Sequence, residues 1–167
     1  VADGWLPLPG VMPQRLTRLD EALVHFLQQA QASADPRHSQ LAALVSDQFG
    51  RGHVCLDLSA WPMAWLEAAQ HMPWAQGDNS PLVLHGSCLY LRRNWSAEQR
   101  ILTALGQRLQ QPVPTLPRLA ETLNLLFASA PPATQTDWQK IACAVATRAN
   151  ITLITGGPGT GKTTTVV

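Results

Sequence analysis

The sequence has few of the features that mark membrane, secreted or strongly nucleic-acid-binding proteins. It contains no run of about eighteen apolar residues, which predicts no membrane span. Its first residues do not show the basic-then-apolar order of a signal peptide. Three cysteines without a CxxC pair indicate reduced thiols in a cytoplasmic protein rather than a disulfide framework. A net charge of +1 gives the whole chain no general attraction to nucleic acid.

Lysine is scarce, because Lys140 and Lys162 are the only lysines among the 12 basic residues. Hydrophobic residues make up 46% of the 167 residues, a share that is ordinary for a folded chain and excludes global disorder. One of the two lysines lies in a glycine-rich stretch close to the last residue of the sequence. That placement makes this stretch the first candidate for a functional site.

Hydrophobic periodicity predicts a mixed α/β fold, with helical spacing in most segments and alternation in a few short ones. Asp35-Pro36 is interpreted as a turn that separates two helices. Ser96 and Gln99 have the spacing of a capping box, which predicts a helix beginning there. The predicted helices cover about 15–31, 39–48, 61–70, 96–109, 119–126 and 137–148; the predicted strands cover 52–59, a hairpin turning at Gly86-Ser87, and 151–155.

The segment QQPVPTLP (Gln110–Pro117) has three prolines in eight residues and is interpreted as a linker. It predicts two parts. Residues 1–112 would form a small, mainly helical N-terminal domain with a few short strands, and residues 113–167 would begin a second domain.

The segment GGPGTGKT (Gly156–Thr163) fits the G-x-x-x-x-G-K-[ST] pattern of a phosphate-binding loop. Glycines let backbone N–H groups approach phosphate oxygens, and the N-terminus of a following helix adds partial positive charge. Lys162 would reach the β- and γ-phosphates of ATP, and the Thr163 hydroxyl would bind Mg²⁺, so both are predicted catalytic residues. The predicted ATP-binding residues of the loop are Gly156, Gly157, Pro158, Gly159, Thr160, Gly161, Lys162, Thr163 and Thr164.

Phosphoryl transfer also needs an acidic residue that holds Mg²⁺ at the end of a second strand. The nearest similar segment is LAALVSD (Leu41–Asp47), and its apolar spacing in a helical context favours a structural helix. The chain alone is therefore expected to be inactive as an ATPase.

Two weaker patterns are present. His53, Cys55, His85 and Cys88 could bind zinc. However, His85 and Cys88 would point to opposite faces if both lay on one strand, which argues against a zinc site. Arg92-Arg93 beside Trp95 could stack on single-stranded nucleic acid, although a solvated strand end or a subunit contact is the favoured interpretation.

The segment DWQKIACAV (Asp137–Val145), running into ITLITGGPGTGKTTTVV, resembles the start of the first motor domain of the RecD family, the alpha subunits of exodeoxyribonuclease V. GHVCLDLS and LYLRRNWSAEQ resemble that family's N-terminal region, so the resemblance covers nearly the whole chain. It implies a RecA-like, ATP-driven 5′–3′ DNA helicase that acts in double-strand break repair and recombination. It also implies assembly with RecB-like and RecC-like subunits, with the N-terminal domain docking on the latter, and action on single-stranded DNA and duplex ends.

The same resemblance matches Gln139 to a glutamine that contacts the adenine edge, where an amide offers one donor and one acceptor. The alternative is that Gln139 is the capping-box partner of Thr136. Two other functions stay open: a stand-alone RecD-like or other P-loop ATPase, and a subunit-binding module without catalytic activity.

Overall fold

The computed structural model describes residues 16–113, 115–128 and 136–166, apart from the side chains of Thr164 and Val166. The chain divides into two compact units, residues 1–100 and 101–167. Both the predicted mixture of helices and strands and the mainly helical character are confirmed. The predicted domain boundary after residue 112 stays a prediction. Pro114 of the linker lies outside the described residues.

The first unit consists of helices around a small antiparallel sheet. Its elements are α1 (Arg18–Ala30), α2 (Pro36–Gly50), β1 (Cys55–Asp57), α3 (Met63–His71), a 3₁₀ turn (Pro73–Ala75), β2 (Leu82–His85), β3 (Cys88–Leu91) and the beginning of α4 (Arg92–Leu109). None of the helices that the structure describes is both long and apolar enough to cross a bilayer.

Local capping interactions explain where the first two helices begin. The Thr17 hydroxyl accepts from the Asp20 backbone N–H, and the Asp20 carboxylate accepts from the Thr17 N–H at 2.8 Å, which makes a capping box. Asp35 caps α2 by accepting from the Arg37 N–H at 2.9 Å, and Pro36 occupies the first helical position. Asp35-Pro36 therefore starts a helix and does not form a separate turn. Proline is tolerated at the first helical position because a backbone N–H there would have no hydrogen-bond partner within the helix.

The three strands are arranged in the order β1-β3-β2, with antiparallel pairing throughout. β2 and β3 form the predicted hairpin, in which His85 pairs with Cys88 across Gly86-Ser87. Gly86 has φ +59°, as the first residue of a type II′ turn requires, and glycine adopts this value without steric cost. The hairpin prediction is confirmed.

The main cluster of buried hydrophobic residues that the structure describes lies in the first unit, and Leu123 is a buried hydrophobic residue of the second. Leu41 on α2 is fully buried, as are Met72 before the 3₁₀ turn and Leu82 and Leu89 on the hairpin. Burial of one leucine side chain contributes about 1.5–3 kcal/mol, so a cluster of this size stabilises the unit substantially. α2 is the central helix, and the segment Leu41–Asp47 is helical as expected.

His38 is buried at the corner between α1 and α2. The Ser33 hydroxyl lies 2.6 Å from its Nδ1 atom, and the ring of Trp74 lies edge-on to the imidazole. Desolvation lowers the pKa of His38 below its usual value, although the charge of Asp35 opposes this effect. Burial therefore favours the neutral form of the imidazole in the folded protein.

Helix α4 begins at Arg92, directly after β3, and the capping box predicted at Ser96 and Gln99 is wrong. The Arg92 N–H donates to the carbonyl of Pro81 at 2.8 Å, so the start of the helix is fixed by the last bond of the hairpin. Ser96 already lies inside the helix. A capping motif is a local pattern, and here the neighbouring strand decides where the helix starts.

The second unit contains the end of α4, α5 (Leu119–Leu126), α6 (Trp138–Ala146) and α7 (Lys162–Val166). Residues 151–155 were predicted to form a buried strand, but the structure assigns no strand there, and Leu153 is 88% exposed. A β-strand is defined by its pairing, and no described residue offers this segment a neighbouring strand.

Candidate functional site

The glycine-rich loop lies between residue 155 and the start of α7 at Lys162. Gly159 and Gly161 both have φ +75°, a left-handed conformation that a residue with a Cβ adopts only with strain. At Gly156, an added Cβ would lie 2.8 Å from the Thr160 hydroxyl oxygen. The backbone therefore turns too tightly for larger residues at these positions.

Lys162 directs its charge into this loop. Its Nζ atom donates to the carbonyl oxygen of Gly156 at 2.7 Å and to that of Gly157 at 2.5 Å. The Thr160 hydroxyl donates to the Gly157 carbonyl at 2.9 Å, which closes the turn. The ammonium group thus lies at the concave side of the loop, where it can attract an anion such as phosphate.

Gln139 reaches the loop from the first turn of α6. Asp137 caps this helix by accepting from the Lys140 N–H at 3.0 Å, so the capping box proposed for Thr136 and Gln139 is not formed. The Gln139 amide instead donates to the carbonyl of Thr160 at 3.3 Å. It lies so close to Gly161 that an added Cβ there would collide with it.

A cavity of about 650 Å³ lies beside Gln139 and the loop, a volume suited to a nucleotide. Two aromatic residues at its wall, Phe127 and Trp138, were not predicted from the sequence. The position of Trp138 directly before Gln139 was the available signal. In the structure Trp138 is 73% exposed. The cavity is lined by Leu126, Phe127, Thr136, Asp137, Trp138, Gln139, Ala142, Ile154, Thr155, Gly156, Thr160, Lys162 and Thr165.

The remaining predicted residues flank this cavity without lining it. Pro158 lies exposed in the loop, and Thr163 lies exposed in the first turn of α7. The side chain of Thr164 lies outside the described residues. The structure therefore brings together Gln139, Gly156, Thr160 and Lys162, whereas it records no protein contact of the Thr163 hydroxyl with them. The role of each residue stays a prediction.

The proposed geometry of His85 and Cys88 is wrong, because they lie on different strands. They are paired across the hairpin and so share one face of the sheet with Cys55. Nevertheless, no group of three or more His, Cys, Asp or Glu in the described residues could hold a metal ion. Burial raises the pKa of Cys55 to about 11, with a hydrogen bond to Cys88 as the next cause. The Cys55 thiol is therefore protonated at neutral pH.

Arg92 and Trp95 are both engaged within the first unit. The Arg92 guanidinium donates to the Ser80 carbonyl at 2.8 Å and to the Ser80 hydroxyl at 2.7 Å. The Trp95 ring packs against His85 at 4.6 Å and Tyr90 at 5.1 Å between centroids. Both residues thus have structural contacts at the start of α4, so the segment is not the solvated strand end that was expected, and a subunit contact stays a prediction.

Comparison with known proteins identifies the class of domain. Residues 13–76 match the family described as RecBCD enzyme subunit RecD, N-terminal domain. These residues include α1, α2, β1, α3 and the 3₁₀ turn, which form most of the first unit.

Individual relatives extend the similarity beyond that domain. A protein of Buchnera aphidicola is 37% identical over 108 residues, which cover 64% of this chain and 17% of the relative. A protein of Mycolicibacterium smegmatis is 33% identical over 165 residues, which cover 89% of this chain and 28% of the relative. A Haemophilus influenzae protein is 37% identical over 101 residues, covering 58% of this chain and 16% of the relative. All three are named RecBCD enzyme subunit RecD.

These matches confirm the resemblance to RecD: the chain is similar to RecD subunits, and residues 13–76 match the N-terminal domain of that family. It spans less than a third of the length of these relatives.

Proposed function

We propose that the chain is the N-terminal part of an ATP-dependent 5′–3′ DNA helicase subunit of a RecBCD-type complex. Its relatives carry the name RecBCD enzyme subunit RecD, which supports the assignment to a RecBCD-type complex. The observation that carries the nucleotide-binding part of the proposal is the contact between Gln139 and Thr160, which joins the predicted adenine-binding residue to the predicted phosphate loop. We further propose that residues 113–167 begin a RecA-like motor domain.

The chemistry of the loop residues supports Mg·ATP as the ligand. Backbone N–H groups of the loop would bind phosphate oxygens, and Gly159 and Gly161 supply the positive φ that the tight loop requires. Lys162 would exchange its two carbonyl partners for the β- and γ-phosphates, and Thr163 would bind Mg²⁺ through its hydroxyl. The Gln139 amide would read the adenine edge. Hydrolysis of ATP would supply the free energy for strand movement.

The N-terminal region, residues 1–112, would dock on a RecC-like subunit in a complex that also contains a RecB-like subunit. The complete subunit would act in the cytoplasm on single-stranded DNA and duplex ends during double-strand break repair and recombination. The name of the relatives, which describes a subunit of RecBCD, supports this assembly.

The first experiment uses the complete subunit together with its partner chains. Lys162→Gln should reduce DNA-stimulated ATP hydrolysis on the order of 100-fold or more, because it removes the charge that faces the phosphates. Lys140→Gln is a matched control, because Lys140 is the other lysine and contacts Asn124 on the surface. Both variants should still co-purify with the two partners. Unchanged hydrolysis by Lys162→Gln would contradict the proposal, and absence of the partners would indicate a stand-alone ATPase.

The second experiment tests Gln139 by nucleotide preference. Gln139→Ala should weaken ATP binding and reduce the preference for ATP over GTP, because the lost amide reads the adenine edge. A variant that keeps its preference while its melting temperature falls would show that Gln139 only supports the loop. Fluorescent nucleotide binding and thermal unfolding of the same preparation distinguish these outcomes.

A further inference from the structure

An apolar groove lies on the first unit between α1, α2 and the end of the hairpin. It has a volume of about 330 Å³, and its walls include Leu19, Leu23, Phe49, Pro81, Leu91 and Arg93. We refer to it as the α1–α2 groove. It is formed within the first unit, and its α1 and α2 residues lie inside the segment that matches the RecD N-terminal domain.

Large apolar side chains beside the groove are open to solvent. Leu19 is 72% exposed, and Phe26, two turns further along α1, is 61% exposed. Leu19, Leu23 and Phe26 occupy i, i+4 and i+7 positions and thus share one face of the helix. Leu27, one turn after Leu23, packs on the core at the edge of this face. An exposed apolar face that continues from the core in this way is typical of a binding site.

Charge at the groove has one sign. The Arg93 guanidinium lies 4.3 Å above the centre of the Phe49 ring, and no carboxylate of the described residues lies within ion-pair distance of it. Arg92, on the same wall, is held by the carbonyl of Ser80 and contributes a second positive charge. None of the residues lining the groove is acidic. An occupant with apolar side chains and a carboxylate would be complementary to both properties.

Single-stranded nucleic acid fits this groove less well. Binding of that kind depends on aromatic faces on which bases can stack. Arg93 covers one face of the Phe49 ring, and Trp95 is packed against His85 and Tyr90. The apolar walls also offer little to a phosphate backbone.

We propose that the α1–α2 groove binds an apolar, acidic segment of a partner subunit. An apolar side chain of that segment enters between Leu19 and Leu91, and a carboxylate pairs with Arg93. This proposal rests on the RecBCD-type assembly proposed above and identifies the surface through which the N-terminal region takes part in it.

The experiment measures assembly of the complete subunit with its partner chains. Leu19→Asp and Arg93→Glu should each weaken co-purification and raise the dissociation constant by about 10- to 30-fold, because each opposes one half of the complementarity. Arg93→Lys should restore much of the affinity, because it retains the charge. Leu125→Asp is the matched control: Leu125 is 79% exposed on α5 of the second unit, and the substitution should leave assembly unchanged.

Each variant is also tested for folding by its melting temperature, which should stay near the wild-type value because Leu19 and Arg93 are not buried. Wild-type assembly of both Leu19→Asp and Arg93→Glu would overturn the proposal and leave the ATPase test unaffected. Two other results would also overturn it. If the subunit forms a homodimer without its partners and these substitutions dissociate it, the occupant of the groove is a second copy. If they weaken binding of an oligo-dT strand while assembly stays normal, the occupant is nucleic acid.

Discussion

The substitution Gly161→Ala tests whether the backbone of the loop is built for phosphate. Gly161 has φ +75°, and an added Cβ would collide with the side-chain amide of Gln139. Holding alanine in a left-handed conformation costs roughly 1–2 kcal/mol. Displacing the Gln139 amide would also remove its bond to Thr160, which contributes about 1 kcal/mol. Together these effects destabilise this loop conformation by about 2–3 kcal/mol, so affinity for a nucleotide that binds this conformation should fall by at most about 30- to 150-fold.

The assay is equilibrium binding of a fluorescent ATP analogue to the complete subunit, with Gly106→Ala as the control. Gly106 lies inside α4, and an added Cβ would meet no atom within 4 Å, so that variant should bind normally. The double variant Gly161→Ala, Gln139→Ala separates the two causes. If displacement of the amide matters, the effects of the two substitutions will be less than additive. Wild-type affinity of Gly161→Ala would refute the reasoning, because neither the left-handed conformation nor the contact would then be needed for binding.

Three further predictions concern the first unit. Leu41→Ala should lower the free energy of unfolding by about 2–5 kcal/mol in denaturant titrations, because Leu41 is fully buried. Leu19→Ala should change it little, because Leu19 is 72% exposed. Equal effects of the two substitutions would contradict the assigned core. The lowered pKa of His38 means that the unfolded chain binds more protons than the folded protein below about pH 6.5. The free energy of unfolding should therefore fall as pH decreases through that region, and His38→Gln should flatten its dependence on pH in the same titrations. An unchanged slope would contradict a neutral, buried imidazole. Burial raises the pKa of Cys55 to about 11 from the usual 9.0. Cys55 should therefore react with iodoacetamide at pH 8 about 100-fold more slowly in the folded protein than in denaturant, as measured by mass spectrometry of the peptide that contains it. Equal rates would contradict the buried thiol.

Local sequence patterns predicted most elements of the fold, since their causes are local. The Gly86-Ser87 turn needs only a glycine that can adopt positive φ between two alternating segments. The helical periods of α1 and α6 were likewise visible in the sequence. These features depend on neighbours a few residues apart, and a single sequence contains that information.

The errors came from features that depend on distant contacts. α4 starts at Arg92 because the hairpin holds its first N–H, which no pattern around Ser96 could reveal. Residues 151–155 have the composition of a strand, but pairing decides whether a strand forms. Periodicity identified an apolar face on α1 but could not indicate that Leu19 stays exposed while Leu27 is buried.

The candidate site shows the same division. The loop pattern fixed the identity of its residues, because glycine and lysine are required there for chemical reasons. Residues alone could not choose between two partners for Gln139, and the choice depends on Asp137 taking the capping position. Trp138 was missed as a wall of the cavity, since an aromatic residue on a helix is more often part of a core.

The contact between Gln139 and Thr160 spans only 21 positions, and every residue lining the adjacent cavity falls between Leu126 and Thr165. A recombination event with both crossover points outside this segment would transfer all the lining residues together. The described lining of the candidate site can therefore be exchanged between related proteins as one continuous block, and chimeric proteins can be designed on that basis. The α1–α2 groove draws its walls from residues between Leu19 and Arg93, so it can be inherited only with nearly the whole first unit.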